Sequence, residues 1–325
     1  MLRTLQSAWP ATRFTWIIGA HEHRLLRLVP EIEFISYHKR GGLAEFRRLR
    51  RELAARRFDL LLHMQLAFRA SLISALVRAP VKLGFDRARA RELQWLFTTD
   101  RIQPDRNQHV LDTLFSFATA AGVHDRTLAW NIPLPQEARD YASQLIPDSR
   151  PTLVVSPCSS HPRRNWRAEH YAAVADHAAA MYNMRVILCG GPGAVERRMA
   201  DAIVAAARAP IIDQVGKDTL PQLLALLARA TALVTPDSGP AHMATAVACP
   251  VIGLYAATNP ARTGPYLSRA YCVDRYAEAA RRLLGKEPTQ LEWTRKIEVP
   301  GVMDLIVPHD VTTKLDSLMR KPPRR

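Results

Sequence analysis

The chain has 325 residues, 45 Lys and Arg against 30 Asp and Glu, and a formal net charge of +15 at pH 7. Its apolar fraction of 48% and charged fraction of 23% exclude a disordered chain, and the length allows two domains, each with a core of its own. Its four cysteines, Cys158, Cys189, Cys249 and Cys272, form no CxxC pair, which disfavours a zinc ribbon or a disulfide scaffold and fits a reducing compartment.

Taken in chain order, residues 14–18 and 33–37 read as strands. Leu43, Phe46, Leu49 and Leu53 recur at helical spacing with arginines between them, which predicts a helix over 43–57. A buried strand over 59–64, a helix near 69–77 and a strand over 81–85 follow. Pro133, Pro135, Pro147 and Pro151 cluster around one short helical piece, and the expected domains are 1–145 and 146–325. The second stretch alternates regularly. Strands are predicted at 152–156, 185–189, 211–215, 232–235 and 251–255, with helices at 168–181, 195–207, 220–228 and from Pro240. Strands separated by helices of this length predict an α/β chain with parallel sheets, in two lobes with a cleft between them. The end of the chain is a basic tail, 321–325. No apolar run nears about 18 residues, so no membrane span is expected. Residues 1–6 show no signal pattern, so a cytoplasmic protein is expected.

Ligands of open parallel sheets bind beyond the carboxyl ends of the strands, and four loops of the second stretch lie there. Asp237-Ser238-Gly239-Pro240-Ala241-His242 follows a strand and opens a helix. Free amides at such a helix start bind phosphate, while an ordinary side-chain cap by Asp237 or Ser238 explains the same pattern. Cys158-Ser159-Ser160-His161-Pro162-Arg163-Arg164-Asn165-Trp166 sets hydroxyls and two arginines after a strand. Arginine suits phosphate because its fork donates two parallel hydrogen bonds; a solvated loop is the plain alternative, with Trp166 as its anchor in the core. Gly190-Gly191-Pro192-Gly193 is not a dinucleotide fingerprint, and Glu196 behind it suits either a ribose hydroxyl or the helix dipole. Gly216-Lys217-Asp218-Thr219 ends on Thr219, which can cap the next helix. His21 and His23 have no partners that would complete a metal site, and His170 and His177 read as surface positions. A DxD pair, a GxSxG elbow and a GxxxxGK[ST] loop are all missing from the sequence, so phosphate here would be met by cations and helix starts rather than by a divalent metal.

Together the motifs resemble those of glycosyltransferase family 9, the ADP-heptose:lipopolysaccharide heptosyltransferases. The resemblance rests on Ser156-Pro157-Cys158-Ser159-Ser160, Arg164-Asn165-Trp166, Leu188-Cys189-Gly190-Gly191-Pro192 with Glu196, Gly216-Lys217-Asp218-Thr219-Leu220, and Thr235 to His242. The stretch from Val251 to Tyr266 resembles the family's closing signature. It implies a GT-B fold of two Rossmann-like lobes, the second holding an ADP-sugar. Carried over by position, Ser238 and Gly239 would bind the diphosphate, with Asp237 and His242 shaping that site. Arg164, where the family usually has Lys, would stabilise the phosphate leaving group, and Ser159 and Ser160 match a hydroxyl pair. Glu196 would meet the ribose, while Lys217 and Thr219 would flank the adenine. No cofactor and no metal are implied. The implied reaction is an inverting transfer of heptose, or a related sugar, to the anionic lipopolysaccharide core, at the cytoplasmic face of the inner membrane.

This sequence departs from the family pattern in two places. Ala256-Ala257-Thr258-Asn259-Pro260 stands where Gly-Pro-Thr-Asp-Pro is usual. The family's opening strand and Gly-Asp loop, whose Asp is the expected general base, do not occur in the sequence, so that base is expected upstream of Met1. Asp59 and Asp86 make unconvincing substitutes. An inactive, sugar-nucleotide-binding relative is the alternative reading. Residues 1–91 hold 18 Lys and Arg against 7 Asp and Glu, a net +11. That excess suits an anionic acceptor or a membrane surface, and the absence of a nucleic-acid-binding module disfavours DNA or RNA.

Overall fold

Strand and helix alternate along most of the chain. In the computed structural model, residues 1–320 are described; the basic tail at 321–325 lies outside the described residues. The chain divides into two compact units, residues 1–132 and 133–325.

The first unit opens with α1 (Leu2–Ala8), β1 (Phe14–Gly19), α2 (Ala20–Leu26) and β2 (Ile32–Tyr37). It continues with α3 (Gly42–Ala54), β3 (Leu60–Leu62), α4 (Phe68–Leu76), β4 (Val81–Gly84), β5 (Asp100–Arg101) and α5 (Val110–Ala120). β1 and β2 pair in parallel as one sheet, and β3, β4 and β5 as another. Both sheets meet the same two apolar layers. Leu5 of α1 and Ala118 of α5 pack with Phe14 of β1 and Leu62 of β3. Leu49 and Leu53 of α3 pack with Ile17 of β1 and Leu61 of β3. Among the described residues β1 and β3 do not pair, so each keeps one open edge.

Leu49 and Leu53 are fully buried, whereas Leu43 is 74% exposed. At about 100° per residue Leu43 stands roughly 120° around the helix from Leu49, so the apolar stripe drifts out of the core at its first member. The helix ends at Ala54, short of the predicted 57.

In the second unit α6 (Gln136–Leu145) is followed by β6 (Thr152–Val155), α7 (Ala168–Tyr182), β7 (Arg185–Leu188), α8 (Ala194–Ala206) and β8 (Ile211–Asp213). Then come α9 (Leu220–Arg229), β9 (Ala232–Pro236), α10 (Gly239–Ala246), β10 (Val251–Tyr255), α11 (Pro260–Thr263), β11 (Val273–Asp274), α12 (Tyr276–Leu284) and α13 (Pro308–Arg320). Six parallel strands form one sheet in the order β11-β10-β9-β6-β7-β8. Every residue of β6, β9 and β10 is buried, because helices cover both faces of a parallel sheet. β8 stops at Asp213, whose carboxylate accepts the Val215 amide at 3.0 Å and turns the chain.

α6 packs on α9, and Arg229 donates to the Ile146 carbonyl at 2.8 Å. The proline-rich stretch is therefore tied into the second unit. His170 and His177 of α7 are half-buried rather than surface residues: His170 packs on the Trp166 ring, and His177 Nε2 lies 2.7 Å from Asp316 of α13. Between α12 and α13 an irregular segment crosses back over the sheet. Ile297 donates to the Ala257 carbonyl at 2.7 Å, Arg167 pairs with Asp304, and Trp166 Nε1 donates to the Ile306 carbonyl at 2.9 Å.

Candidate functional site

The chain enters the second sheet at β6, winds outward to β8, then returns to β9 on the other side of β6 and winds the opposite way. β6 and β9 are thus the neighbours at which the winding reverses, and the loops beyond their carboxyl ends open a crevice there. These are the Ser159–Trp166 and Asp237–Gly239 loops. They are joined directly, since the Ser159 hydroxyl donates to the Asp237 carbonyl at 2.8 Å.

The start of α10 decides between a capped helix and an anion site. Ser238 is the N-cap residue, yet neither it nor Asp237 caps the helix with its side chain. The Ser238 hydroxyl is 2.8 Å from that of Thr235. Pro240 has no N–H, and among the described residues no protein acceptor takes the amides of Gly239 or Ala241. A Cβ placed on Gly239 would meet nothing within 4 Å, so the space over the helix start is open. Uncapped first-turn amides beside open space can take an anion.

Arg164 supplies the positive charge opposite. It ends a 3-10 turn (Pro162–Arg164) and is only 9% exposed. Its Nη1 lies 3.5 Å from Asp237 Oδ2, while Nε and Nη2 both donate to Glu298 Oε1, at 2.8 and 2.7 Å. Burial would raise the Glu298 carboxyl, but the hydrogen bonds and charge of Arg164, with His161 and Lys296, outweigh it and hold the group below its ordinary value. The loop itself is tied down locally. The Ser159 amide donates to Asn165 Oδ1 at 2.8 Å, and Trp166 is 1% exposed with its indole N–H satisfied.

Other expected site residues stand around this centre. Ser160 is exposed beside Ser159. Glu196, in the first turn of α8, folds back over the glycine loop so closely that a Cβ on Gly193 would lie 2.3 Å from Glu196 Oε2. With burial, Glu196 also pushes the Cys158 thiol up to about 11. His242 is exposed on α10.

Two residues are engaged elsewhere. Lys217 Nζ donates to the Asp213 carbonyl at 2.6 Å. The Thr219 hydroxyl accepts from the Gln222 amide, and Gln222 Oε1 accepts from the Thr219 amide at 2.8 Å, a complete capping box on α9. Between them Asp218 is pushed up to about 6 by burial, and its Oδ2 is buried without a partner. In the closing stretch Asn259 Oδ1 caps α11 by accepting the Ala261 amide at 2.9 Å, a turn that an aspartate makes equally well. Asp86 is saturated by the amides of Ala88 and Arg89 and by Arg89 Nε, and Asp59 is exposed at the amino end of β3. Among the described residues, no group of three His, Cys, Asp or Glu side chains could hold a metal ion.

A family model described as glycosyltransferase family 9 (heptosyltransferase) matches residues 46–291. The chain belongs to glycosyltransferase family 9. This heptosyltransferase-family chain is 38% identical over 318 residues to the lipopolysaccharide core heptosyltransferase OpsX of Haemophilus influenzae, covering 98% of this chain and 91% of that relative. Among solved structures it is similar to a family 9 glycosyltransferase from Veillonella parvula. The TM-score is 0.80 at 23% identity, over 98% of this chain and 92% of the other. It is also similar to ADP-heptose lipopolysaccharide heptosyltransferase II of Escherichia coli, with a TM-score of 0.72 at 23% identity, over 98% and 93%. These likenesses carry the fold, an α/β GT-B architecture with parallel sheets. The residue that the motifs did not reveal is Glu298. It lies 134 positions from Arg164 in sequence, and past the last residue that the family model matches.

Proposed function

We propose that this family 9 enzyme transfers a heptose, or a related sugar, from an ADP-sugar to the anionic inner core of lipopolysaccharide at the cytoplasmic face of the inner membrane. The observation that carries the reading is the uncapped start of α10 facing Arg164 across the β6–β9 switch point. A nucleotide diphosphate fits it: the amides of Gly239 and Ala241 receive the phosphate oxygens, with the Ser238 amide beside them, and the guanidinium neutralises the charge that builds as the bond to the anomeric carbon breaks. Attack by the acceptor hydroxyl from the opposite face forms the new glycosidic bond as the bond from the anomeric carbon to phosphate breaks; the centre inverts, ADP leaves, and the hydroxyl proton passes to a base or to bulk water.

Ser159 holds the two loops in register, Ser160 is open to the sugar, and Asp237 and His242 border the phosphates. Glu196 would accept from a ribose hydroxyl. Lys217 and Thr219 would flank the adenine, with Thr219 contributing shape while its hydroxyl stays in the cap. Neither Asp59, exposed at the amino end of β3, nor Asp86, held by the amides of Ala88 and Arg89 and by Arg89 Nε, is the general base. Among the described residues, no helix is long and apolar enough to cross a membrane. The acceptor and the membrane surface would be met by the cationic residues of the first unit.

Calorimetry with ADP and ADP-heptose tests the donor site. Ser238→Pro removes an amide and cannot hold the extended φ of −152° found there. Arg164→Ala removes the cation. Each should weaken ADP by about tenfold or more, the value of a charge-assisted hydrogen bond. Unchanged binding in both variants would show that the diphosphate lies elsewhere.

A further inference from the structure

The contact between Arg164 and Glu298 has a geometry that a mere surface pair does not need. Two N–H groups from different nitrogens of the guanidinium converge on one oxygen of Glu298, at 2.8 and 2.7 Å, while the third nitrogen points to Asp237 at 3.5 Å. A guanidinium held at Nε and Nη2 cannot rotate about its long axis, so the direction of its remaining N–H groups is fixed. An ammonium has no such fork, and could not hold Glu298 and face Asp237 in the same way. Glu298 is itself held. Its neighbour Ile297 is 1% exposed and donates to Ala257, at the end of β10. The other carboxylate oxygen is 3.8 Å from His161 Nε2.

We infer that Glu298 is the positioning residue of the donor site: it locks the Arg164 guanidinium so that its free N–H groups face the diphosphate at the start of α10, and it makes arginine, rather than lysine, the cation this site requires. The inference rests on the reading of Arg164 as the phosphate-facing group. It concerns a residue outside the stretch that the family model matches. A catalytic role is not assigned to Glu298, because it acts through Arg164.

The experiment is a double-mutant cycle on the full chain, reading ADP affinity by calorimetry, with kcat and KM for ADP-heptose alongside and thermal melting as a folding control. Glu298→Ala should weaken ADP about tenfold and lower kcat by up to about 100-fold, as expected when a reacting geometry shifts by about an ångström. Glu298→Gln, which keeps an acceptor oxygen, should recover part of the loss. Arg164→Lys should bind ADP no better than Arg164→Ala. Adding Glu298→Ala to Arg164→Ala should cost nothing further, because the two residues act as one unit. Asp304→Ala loosens the same segment through its pair with Arg167 and should bind ADP as the parent does. Wild-type ADP affinity in Glu298→Ala, losses that multiply in the double variant, or an equal loss in Asp304→Ala would each overturn the inference. If Arg164→Ala is silent, the reading of Arg164 as the phosphate-facing group fails and the role of Glu298 falls with it; if only the Glu298 variants are silent, that reading stands.

Discussion

Asp218 shows how a single side chain records its surroundings. Burial raises its carboxyl from the ordinary 3.8 to about 6, and one oxygen is enclosed with no partner. Between about pH 4 and pH 6 the folded chain therefore keeps a proton that the unfolded chain releases. The stabilising influence of the neutral acid is complete below about pH 4 and is lost as the pH rises through about 6. Asp218→Asn is neutral throughout and nearly isosteric. Above pH 6 it should be more stable than the parent by about 1–2 kcal/mol, allowing for solvent screening of a group that is only partly enclosed. Below pH 4 the advantage should vanish. Parallel melting curves at pH 4 and pH 7.5 check this; a gain that is equal at both would mean that desolvated charge is not its cause.

At the scale of elements, α9 depends on its first turn. It carries Leu223, Leu224, Leu226 and Leu227 into the core, and its entry is set by the capping box of Thr219 and Gln222. Thr219→Ala should cost about 1 kcal/mol of stability, measured by denaturant unfolding, with a smaller effect on ADP affinity. A large loss of affinity at unchanged stability would instead place the hydroxyl against the nucleotide. The same element shows what the sequence made legible. Thr219 four residues ahead of a run of leucines announces a capped, buried helix, and Gly239-Pro240 after a strand announces a helix start. Whether Ser238 caps that start was not legible, because its hydroxyl has a choice between a backbone amide and Thr235, and only the fold settles it. Glu298 was equally hidden: nothing near it in sequence has a motif, and its partner comes from a loop far earlier in the chain. Leu43 misled because spacing alone does not say where a helix leaves its layer.

For the molecule as a whole, the net charge of +15 divides unevenly along the chain and is partly spent internally. In α3, Arg48 is paired with Glu45 and Glu52, and Arg56 beyond it with Glu33, while Arg47, Arg50 and Arg51 stand exposed. The open part of the charge is what an anionic surface would meet. The two sheets of the first unit differ from the six-stranded sheet in a way that solvent can read. β6 and β9 are bonded to a strand on each side, whereas among the described residues β1 and β3 each have a neighbour on one side only. Half of the amides in Phe14–Gly19 and Leu60–Leu62 therefore point along an open edge. Transferred to deuterated water, those amides should take up deuterium orders of magnitude faster than the amides of β6 and β9, as peptide-resolved mass spectrometry would show. Uptake as slow as that of β6 would mean that the two edges are already occupied in solution.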